Sequence, residues 1–332
     1  MDVQTLLLMG DGLQQVAGDG LRDLLDRFTT RPIMGVLTGI VVTVLIQSSS
    51  GTTVLTIGLV TAGFMTLRQA IGVIMGANIG TTATAFIIGI NISDYALPII
   101  ALGAFLIFFF KNHKVNNFGQ VFFGFGSLFF GLTLMGDATK PLRDMPVFTE
   151  LTLSMADNPL LGVFIGAVFT MIIQSSTAAV GILQTLFDQG AISLQAALPV
   201  LFGDNIGTTI TAIIASIGAS IAARRAALVH VLFHVIGTVM VLILVLPFLQ
   251  GIAFFQASLD LNPRMTIAFA HGTFNVANTI IQLPFIAALA WLVTKLVPGE
   301  DRVIDYKTIH LGEPSIRQSP SVALGQAKKE VL

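Results

Sequence analysis

Long stretches without a charged residue constrain the fold of this chain more than any other feature. A helix that crosses the hydrocarbon core of a bilayer needs about 20 apolar residues, and most of these stretches reach that length. Membrane barrels instead show alternating segments of about 10 residues, and residues 241–248 do not alternate. We therefore predict an all-α polytopic membrane protein. The charge-free stretches are 32–67, 69–93, 115–136, 158–187, 205–223, 226–259 and 265–294.

The amino-acid composition excludes several other classes of protein. Only 11% of the 332 residues are charged, whereas soluble domains have about 25%, so a soluble enzyme is excluded. The net charge of −1 gives a nucleic-acid partner no electrostatic support. The chain has no cysteine, which rules out disulfides, thiolate zinc sites and a cysteine nucleophile.

The chain contains an internal repeat. A shift of 127 residues aligns 31–85 with 158–212 without a gap, with 23 identities in 55 positions. Chance similarity between apolar segments would match Leu, Ile and Val, but here polar residues match best. Gln-Ser-Ser-Ser at 47–50 pairs with Gln-Ser-Ser-Thr at 174–177, and Asn-Ile-Gly-Thr-Thr occurs at both 78–82 and 205–209. This pattern indicates a duplicated unit.

The segment lengths predict the shape of each unit. Residues 33–46 and 51–63 flank the first Gln-Ser-Ser motif, and each flank gives about 20 Å of helix, too little to cross a core of about 30 Å. We expect a re-entrant helical hairpin with its polar tip near the midplane. Residues 67–90 follow as a transmembrane helix broken at Gly76–Gly80, and 95–110 and 118–137 cross as well. Three crossings per unit make the two repeats inverted.

These lengths also predict the domain organisation and topology. In this topology, 11 Lys and Arg residues lie on the same side of the membrane as Arg31 and 3 lie on the other side. Basic residues are enriched in cytoplasmic loops, so we expect the Arg31 side to be cytoplasmic in a multi-pass protein of the inner cell membrane. The last segment, 265–297, should cross once with a break between Asn275 and Pro284. The predicted units are an interfacial amphipathic helix within 1–30 (residues 13–28), repeat 1 at 31–137, an interfacial helix or linker at 138–157, repeat 2 at 158–297 and a cytoplasmic polar tail at 298–332.

The hairpin tips predict an anion site. Ser and Thr are good helix N-caps, and the free N–H groups and positive end of the helix dipole would point toward the membrane centre. Hydroxyls together with N–H groups suit phosphate or sulfate. The predicted anion ligands are Ser48, Ser49, Ser50, Ser175, Ser176 and Thr177.

Neutral oxygen ligands beside the tips predict a sodium site. The expected helix breaks would add a second pair of helix N-termini at 81–82 and 208–209. Amide, hydroxyl and unwound carbonyl oxygens suit Na⁺, and a near-neutral site would need a co-bound cation to hold a multivalent anion. Co-transported Na⁺ is then the only metal expected, with no cofactor and no transition-metal site. The predicted Na⁺ ligands are Gln47, Gln174, Asn78, Asn205, Thr81, Thr82, Thr208, Thr209 and Asp204.

The doubled motif resembles the sodium/phosphate cotransporter type II family and its bacterial relatives. The resemblance covers 30–297 and implies Na⁺-driven uptake of inorganic phosphate, with 47–50 and 174–177 lining the central site. Thr177 departs from Ser50 of the first copy but keeps a hydroxyl. The tail around 319–329 resembles the linker that leads, in some bacterial relatives, into a domain similar to the phosphate-signalling protein PhoU.

Several polar residues in apolar stretches allow two interpretations. Asp204 occupies the position that Ala77 has in the first copy. The functional interpretation is a Na⁺ ligand or a proton-sensitive group. The structural alternative is an acid that accepts hydrogen bonds from nearby N–H groups and so stabilises the helix break. His230, His234 and His271 are expected to face inward and bond a neighbouring helix, with pH-dependent transport as the minority interpretation. Asp188 and Gln189 are expected in a solvated loop, with a gate as the alternative.

These observations predict a Na⁺-coupled phosphate symporter that works by alternating access. The alternatives are transport of another oxyanion such as sulfate, coupling to protons, an anion channel on the same scaffold, and a membrane-embedded enzyme. The enzyme is disfavoured because the sequence has no carboxylate pair, metal motif or nucleophile–base arrangement. The expected partners are phosphate, Na⁺ and the bilayer, and a homodimer stays open.

Overall fold

The computed structural model describes residues 31–90 and 92–299, and within them the chain is helical, with no β-strand. This confirms the all-α class. The predicted amphipathic helix at 13–28 and the predicted tail beyond Gly299 lie outside the described residues. The first half comprises α1 (Pro32–Ile46), α2 (Ser49–Thr61), α3 (Leu67–Gly89), α4 (Ala96–Phe109) and α5 (His113–Thr139).

The second half has the same order at its start and a longer end. Its helices are α6 (Pro146–Asp157), α7 (Pro159–Ile173), α8 (Ser176–Asp188), α9 (Leu194–Gly207), α10 (Ile210–Ala215), α11 (Ile221–Ile243), α12 (Val245–Ser258), α13 (Pro263–Gln282) and α14 (Ile286–Leu296). Short 3-10 turns lie at Ser93–Tyr95, Lys140–Asp144 and Leu283–Phe285.

Five helical segments of the described residues are long and apolar enough to cross a membrane, or six if α6 and α7, bent by 118°, count as one. The five are α3, α5 with its 3-10 turn, α9 with α10, α11, and α13 with α14. In the last segment, where a break between Asn275 and Pro284 was predicted, the chain stays helical and shows only a 3-10 turn at Leu283–Phe285. By contrast, the predicted crossing at 95–110 corresponds to a shorter apolar helix, Ser93–Phe109, at the lower limit of the roughly 17–25 residues that a span uses.

Each Gln-Ser-Ser motif lies at a turn between two short helices, as predicted. We call each such pair of helices a hairpin, and its re-entry into a membrane stays a prediction. Helices α1 and α7 have 15 residues each, and α2 and α8 have 13 each. The chain turns between the two helices of each hairpin at Gln47 and at Gln174. The short flanks and the polar turns were therefore predicted correctly.

The glycines of the repeated block pack helices together, and the predicted break at Gly76–Gly80 is wrong. Helix α3 is continuous from Leu67 to Gly89. A Cβ at Gly76 would collide with the carbonyl oxygen of Val36, and a Cβ at Gly39 with that of Val73. The missing side chains let α1 lie directly against the backbone of α3, as small residues do between membrane helices. Gly166 and Gly203 do the same for α7 and α9.

In the second copy the helix is interrupted only at Thr208 and Thr209, between α9 and α10. Both residues keep right-handed helical backbone angles. The N–H of Thr209 donates to the carbonyl of Ile206, three residues back, which is a local 3-10 tightening. The interruption therefore leaves α9 and α10 as one 22-residue segment.

The two hairpins approach α3 from opposite ends. A Cβ at Gly72, near the start of α3, would lie 3.0 Å from the carbonyl oxygen of Pro32 in the first hairpin. Near the end of α3, the carbonyl oxygen of Ala85 accepts a 3.0 Å hydrogen bond from Gln184 Nε2 of the second hairpin. An inverted repeat would produce this opposed approach, and its orientation across a bilayer stays a prediction.

Candidate functional site

Each hairpin tip is built around a glutamine with a left-handed backbone. Gln47 has φ 58° and Gln174 has φ 57°. Their backbone N–H groups donate to the carbonyls of Thr43 and Thr170 at 2.7 Å, which ends α1 and α7. A non-glycine residue in this region costs about 1 kcal/mol. The same strained conformation at both tips shows that the surrounding structure holds it in place, as is common at functional sites.

A serine caps the returning helix at each tip, as predicted. Ser48 Oγ accepts the N–H of Gly51 at 3.0 Å, and Ser175 Oγ accepts that of Ala178 at 3.3 Å. The remaining N–H groups of the first turns of α2 and α8 stay at the tips. Each helix dipole therefore places its positive end there.

The structure brings both tips into one cavity of about 300 Å³, here called the tip cavity. All six predicted anion ligands and both tip glutamines line it. None of the described residues that line it is charged. The lining consists of Gln47, Ser48, Ser49, Ser50, Thr84, Leu128, Gln174, Ser175, Ser176 and Thr177.

Thr84 is a member of this site that the sequence analysis missed. Its hydroxyl donates a 2.7 Å hydrogen bond to Gln47 Oε1, while Gln47 Nε2 donates to the carbonyl of Val44 at 2.6 Å. Both bonds fix the orientation of the amide. The signal that could have found Thr84 is its identity with Thr211 in the repeat alignment.

The two predicted sodium-binding asparagines lie away from the tip cavity and bond to histidines. Asn78 Oδ1 is 3.1 Å from His230 Nε2, and Asn205 Oδ1 is 3.3 Å from His271 Nε2. Each asparagine amide nitrogen donates to the carbonyl four residues earlier, which leaves Oδ1 as the acceptor. Each imidazole therefore donates from Nε2, and for these two histidines the expected bond to a neighbouring helix is confirmed.

The third histidine, His234, is buried beside His230. His234 is 1% exposed, and its ring centroid lies 5.0 Å from that of His230. Neither of its ring nitrogens has a hydrogen-bond partner among the described residues. The bond expected for His234 is thus absent from that part of the chain.

The four predicted threonine ligands are turned toward their own helices. The hydroxyls of Thr81 and Thr82 donate to carbonyls within α3, and those of Thr208 and Thr209 donate to carbonyls of α9. None of the four lines the tip cavity. The predicted second pair of helix N-termini is also wrong, because α3 does not break and the 208–209 backbone stays helical.

Asp204 connects to the second tip through Thr170. It is 2% exposed, and its Oδ1 accepts a 2.6 Å hydrogen bond from the hydroxyl of Thr170. The backbone carbonyl of Thr170 accepts a hydrogen bond from the N–H of Gln174. Asp204 Oδ2 has no hydrogen-bond partner among the described residues. The bonded partner is a hydroxyl, whereas the structural alternative expected N–H groups.

Asp204 also borders a second, largely apolar cavity of about 350 Å³ between α6, α7, α8 and α9. The first repeat has Ala77 at this position, and Thr43, the counterpart of Thr170, donates instead to the hydroxyl of Thr52 at 2.9 Å. The carboxylate therefore belongs to the second repeat only.

The far end of the second hairpin is held by a polar clasp, defined as Gln184, Asp188, Gln189 and Arg264. Arg264 Nε donates to Asp188 Oδ2 at 2.9 Å, and the two side chains are 10% and 27% exposed. Gln184 Nε2 donates to the carbonyl of Arg264, and Gln189 Nε2 to that of Gly136. The expectation of a solvated loop at 188–189 is wrong.

Comparison with known proteins identifies the family. The family model described as Na⁺/Pi-cotransporter matches residues 4–137 and 145–294. The chain belongs to the Na⁺/Pi-cotransporter family. This confirms the resemblance drawn from the paired Gln-Ser-Ser motifs and makes the chain a membrane protein of a phosphate transporter family.

Relatives of this chain occur in bacteria and in mammals. "Uncharacterized protein YqeW" of Bacillus subtilis (strain 168) is 32% identical over 88% of this chain and 94% of its own length. "Putative inorganic phosphate export protein YjbB" of Escherichia coli (strain K12) is 30% identical over 97% of this chain, which spans only 58% of that protein. "Sodium-dependent phosphate transport protein 2A" of Ovis aries is 41% identical over 76 residues, 23% of this chain and 12% of its own length. No solved structure matches.

Proposed function

We propose that this protein is a Na⁺-coupled symporter of inorganic phosphate that holds the anion in the tip cavity and works by alternating access. The observation that carries the proposal is the meeting of two helix N-termini and six serine and threonine residues in one cavity. Such groups bind phosphate without a positive side chain. The opposed hairpins would then gate the cavity from the two sides of an inner cell membrane, with the tail in the cytoplasm.

The neutral lining of the tip cavity gives a physical reason for coupling to sodium. Phosphate near neutral pH carries up to two negative charges, and a neutral, partly dehydrated site stabilises them better when a cation binds beside them. The side-chain oxygens of Gln47 and Gln174 are the Na⁺ ligands nearest the anion. The free carboxylate oxygen of Asp204 is the best candidate for a second Na⁺. The Asn78 and Asn205 oxygens and the oxygens of the four threonines in the repeated motif are weaker candidates, because they are neutral and lie outside the tip cavity.

Phosphate export is a second candidate, favoured by the printed name of the Escherichia coli relative, which aligns with 97% of this chain. A symporter is reversible, so the gradients across the membrane decide the direction of net transport. Export would need an outward driving force, because an inward Na⁺ gradient drives uptake.

Transport by the purified protein in proteoliposomes tests the proposal. An inward Na⁺ gradient should drive radiolabelled phosphate above its equilibrium level, while the same gradient of K⁺ should not. Phosphate uptake that is the same with and without a Na⁺ gradient would reject Na⁺ coupling. Phosphate flux that never exceeds electrochemical equilibrium would indicate an anion channel. Equal competition by sulfate would reject selectivity for phosphate. Net efflux against an inward Na⁺ gradient would favour export by another coupling ion.

A further inference from the structure

A large cavity lies at the start of α1 and α3, at the open end of the first hairpin and away from the tips. Its volume is about 1020 Å³, and we call it the basic cavity. Arg31, Thr66 and Arg68 contribute polar groups to its lining. Ile33 and Ile286, together with the 3-10 turn at Leu283, contribute apolar walls.

Backbone packing brings the two arginines to the same place. Arg31 directly precedes α1, and Arg68 is the second residue of α3. A Cβ at Gly35 would lie 3.3 Å from Cα of Gly72, so the first turns of α1 and α3 are in close contact. The relative position of the two arginines therefore follows from rigid helix packing, and both line the cavity.

The electrostatics of the basic cavity favour an anion. Within residues 31–90 and 92–299, the ion pairs are Lys140–Asp137 and Arg264–Asp188, so neither cavity arginine has an acidic partner there. Among the described residues, no acidic residue lines the cavity or lies in the first turns of α1 and α3. Both helices add the positive ends of their dipoles. No described side chain caps α1. Because Pro32 has no N–H group, the backbone groups available at the start of α1 are those of Ile33 and Met34.

The apolar walls distinguish a lipid from a free anion. Inorganic phosphate gains nothing from apolar surface, whereas an acyl chain does. Ile33 is 61% exposed beside the arginines, where a chain could cover it. The excess of basic residues predicts that this end faces the cytoplasm, whose membrane leaflet supplies anionic lipids.

We propose that the basic cavity binds an anionic glycerophospholipid. The headgroup phosphate lies between Arg31 and Arg68, and one acyl chain follows Ile33 and Leu283. A lipid seated there contacts the first hairpin on one side and the junction of α13 and α14 on the other. It therefore stabilises the folded protein. This inference does not depend on the transport proposal, because no residue of the tip cavity takes part.

Thermal unfolding of the purified full-length protein in detergent, titrated with phosphatidylglycerol, tests the proposal. The melting temperature should rise with phosphatidylglycerol and not with phosphatidylcholine. The double variant Arg31→Gln/Arg68→Gln should lower the apparent lipid affinity by ~30-fold, taking about 1 kcal/mol for each basic residue near a lipid surface. The matched control is Lys111→Gln/Lys114→Gln, which removes two basic residues that do not line the cavity and should leave the affinity unchanged.

Two further arms separate the alternatives. Ala287→Phe fills the cavity from an exposed position of α14 without changing charge, so it should also weaken the effect of phosphatidylglycerol even if the arginine variant folds poorly. Inorganic phosphate alone should not reproduce the stabilisation. An equal response to inorganic phosphate, an equal response to phosphatidylcholine, or full lipid stabilisation of the Ala287→Phe variant would overturn the proposal.

Discussion

At the scale of single residues, the tip glutamines combine a strained backbone with an amide that faces the cavity. Gln47 is held from both sides, because its Oε1 accepts from Thr84 and its Nε2 donates within α1. The tip is therefore ordered before any ligand arrives. Preorganised groups of this kind bind more tightly because less conformational freedom is lost on binding.

Thr84→Val should weaken phosphate binding without unfolding the protein. Valine has nearly the same shape as threonine but cannot donate to Gln47, and one lost hydrogen bond of about 0.5–1.5 kcal/mol corresponds to about a 2- to 12-fold lower apparent affinity. Phosphate-dependent uptake in proteoliposomes measures this. Thr211→Val is the control, because the Thr211 hydroxyl donates only to Thr208. An equal loss of apparent phosphate affinity in the two variants would contradict the assignment of Thr84 to the phosphate site.

Asp204→Asn should lower the apparent affinity for Na⁺ more than that for phosphate. Asparagine can still accept from Thr170, so the local packing is kept, but the negative charge that would attract the cation is lost. Uptake measured over a range of Na⁺ concentrations at saturating phosphate gives the Na⁺ affinity. Thr170→Val serves as the comparison, because it removes the hydrogen bond and keeps the carboxylate. An unchanged Na⁺ dependence in Asp204→Asn would leave this residue with a structural role.

The sequence predicts the tips well because their chemistry is local. Gln, Ser and Thr in a duplicated motif identify the hairpin turns and caps without reference to other segments. It does not reveal the partners of Asn78 and Asn205, since their histidines lie 152 and 66 residues away.

The prediction of a helix break at Gly76–Gly80 was wrong for a related reason. Glycine in a helix can end it or admit a neighbour, and only the position of α1 decides between these roles.

At the scale of elements, the two hairpins differ in what holds their open ends. The second is fixed by the polar clasp, whereas the counterparts of Gln184 and Asp188 in the first are Ile57 and Thr61. Ile57 is buried in an apolar cluster with residues of α11. Apolar packing is not directional, but an ion pair with fixed hydrogen bonds has one favoured geometry. We therefore expect the second hairpin to be the more rigidly held of the two in this conformation.

A double-mutant cycle on the clasp should reveal a measurable coupling between Asp188 and Arg264. Asp188→Asn leaves the mostly buried Arg264 guanidinium without its counter-ion, and truncating one partner of a buried pair costs about 3–5 kcal/mol. Because Asp188 is partly exposed, we expect a coupling of about 1–2 kcal/mol, read from the unfolding of both single variants and the double variant. The exposed Asp137–Lys140 pair is the matched control and should show no measurable coupling. Additive effects at the clasp would contradict its assignment as a specific contact.

At the scale of the whole molecule, the opposed hairpins place one polar cavity between two similar halves. Helix α13 runs alongside α3, with Met265 against Gly89 and Thr279 near Met75, and so connects both ends of the membrane body. Two halves that approach the same cavity from opposite ends can alternately open it to either side. Co-binding of Na⁺ and phosphate would then determine when the cavity can close.

The central claim is that phosphate and Na⁺ bind together between the two tips, and equilibrium binding of radiolabelled phosphate to the purified protein tests it most directly. We predict that replacing K⁺ by Na⁺ raises the phosphate affinity, and that phosphate raises the Na⁺ affinity by the same factor. The double variant Ser49→Ala/Ser176→Ala should lose at least about tenfold in phosphate affinity. Ser193→Ala, a helix cap outside the tip cavity, should keep it. Phosphate binding that is independent of Na⁺, or unchanged in the double tip variant, would contradict the account.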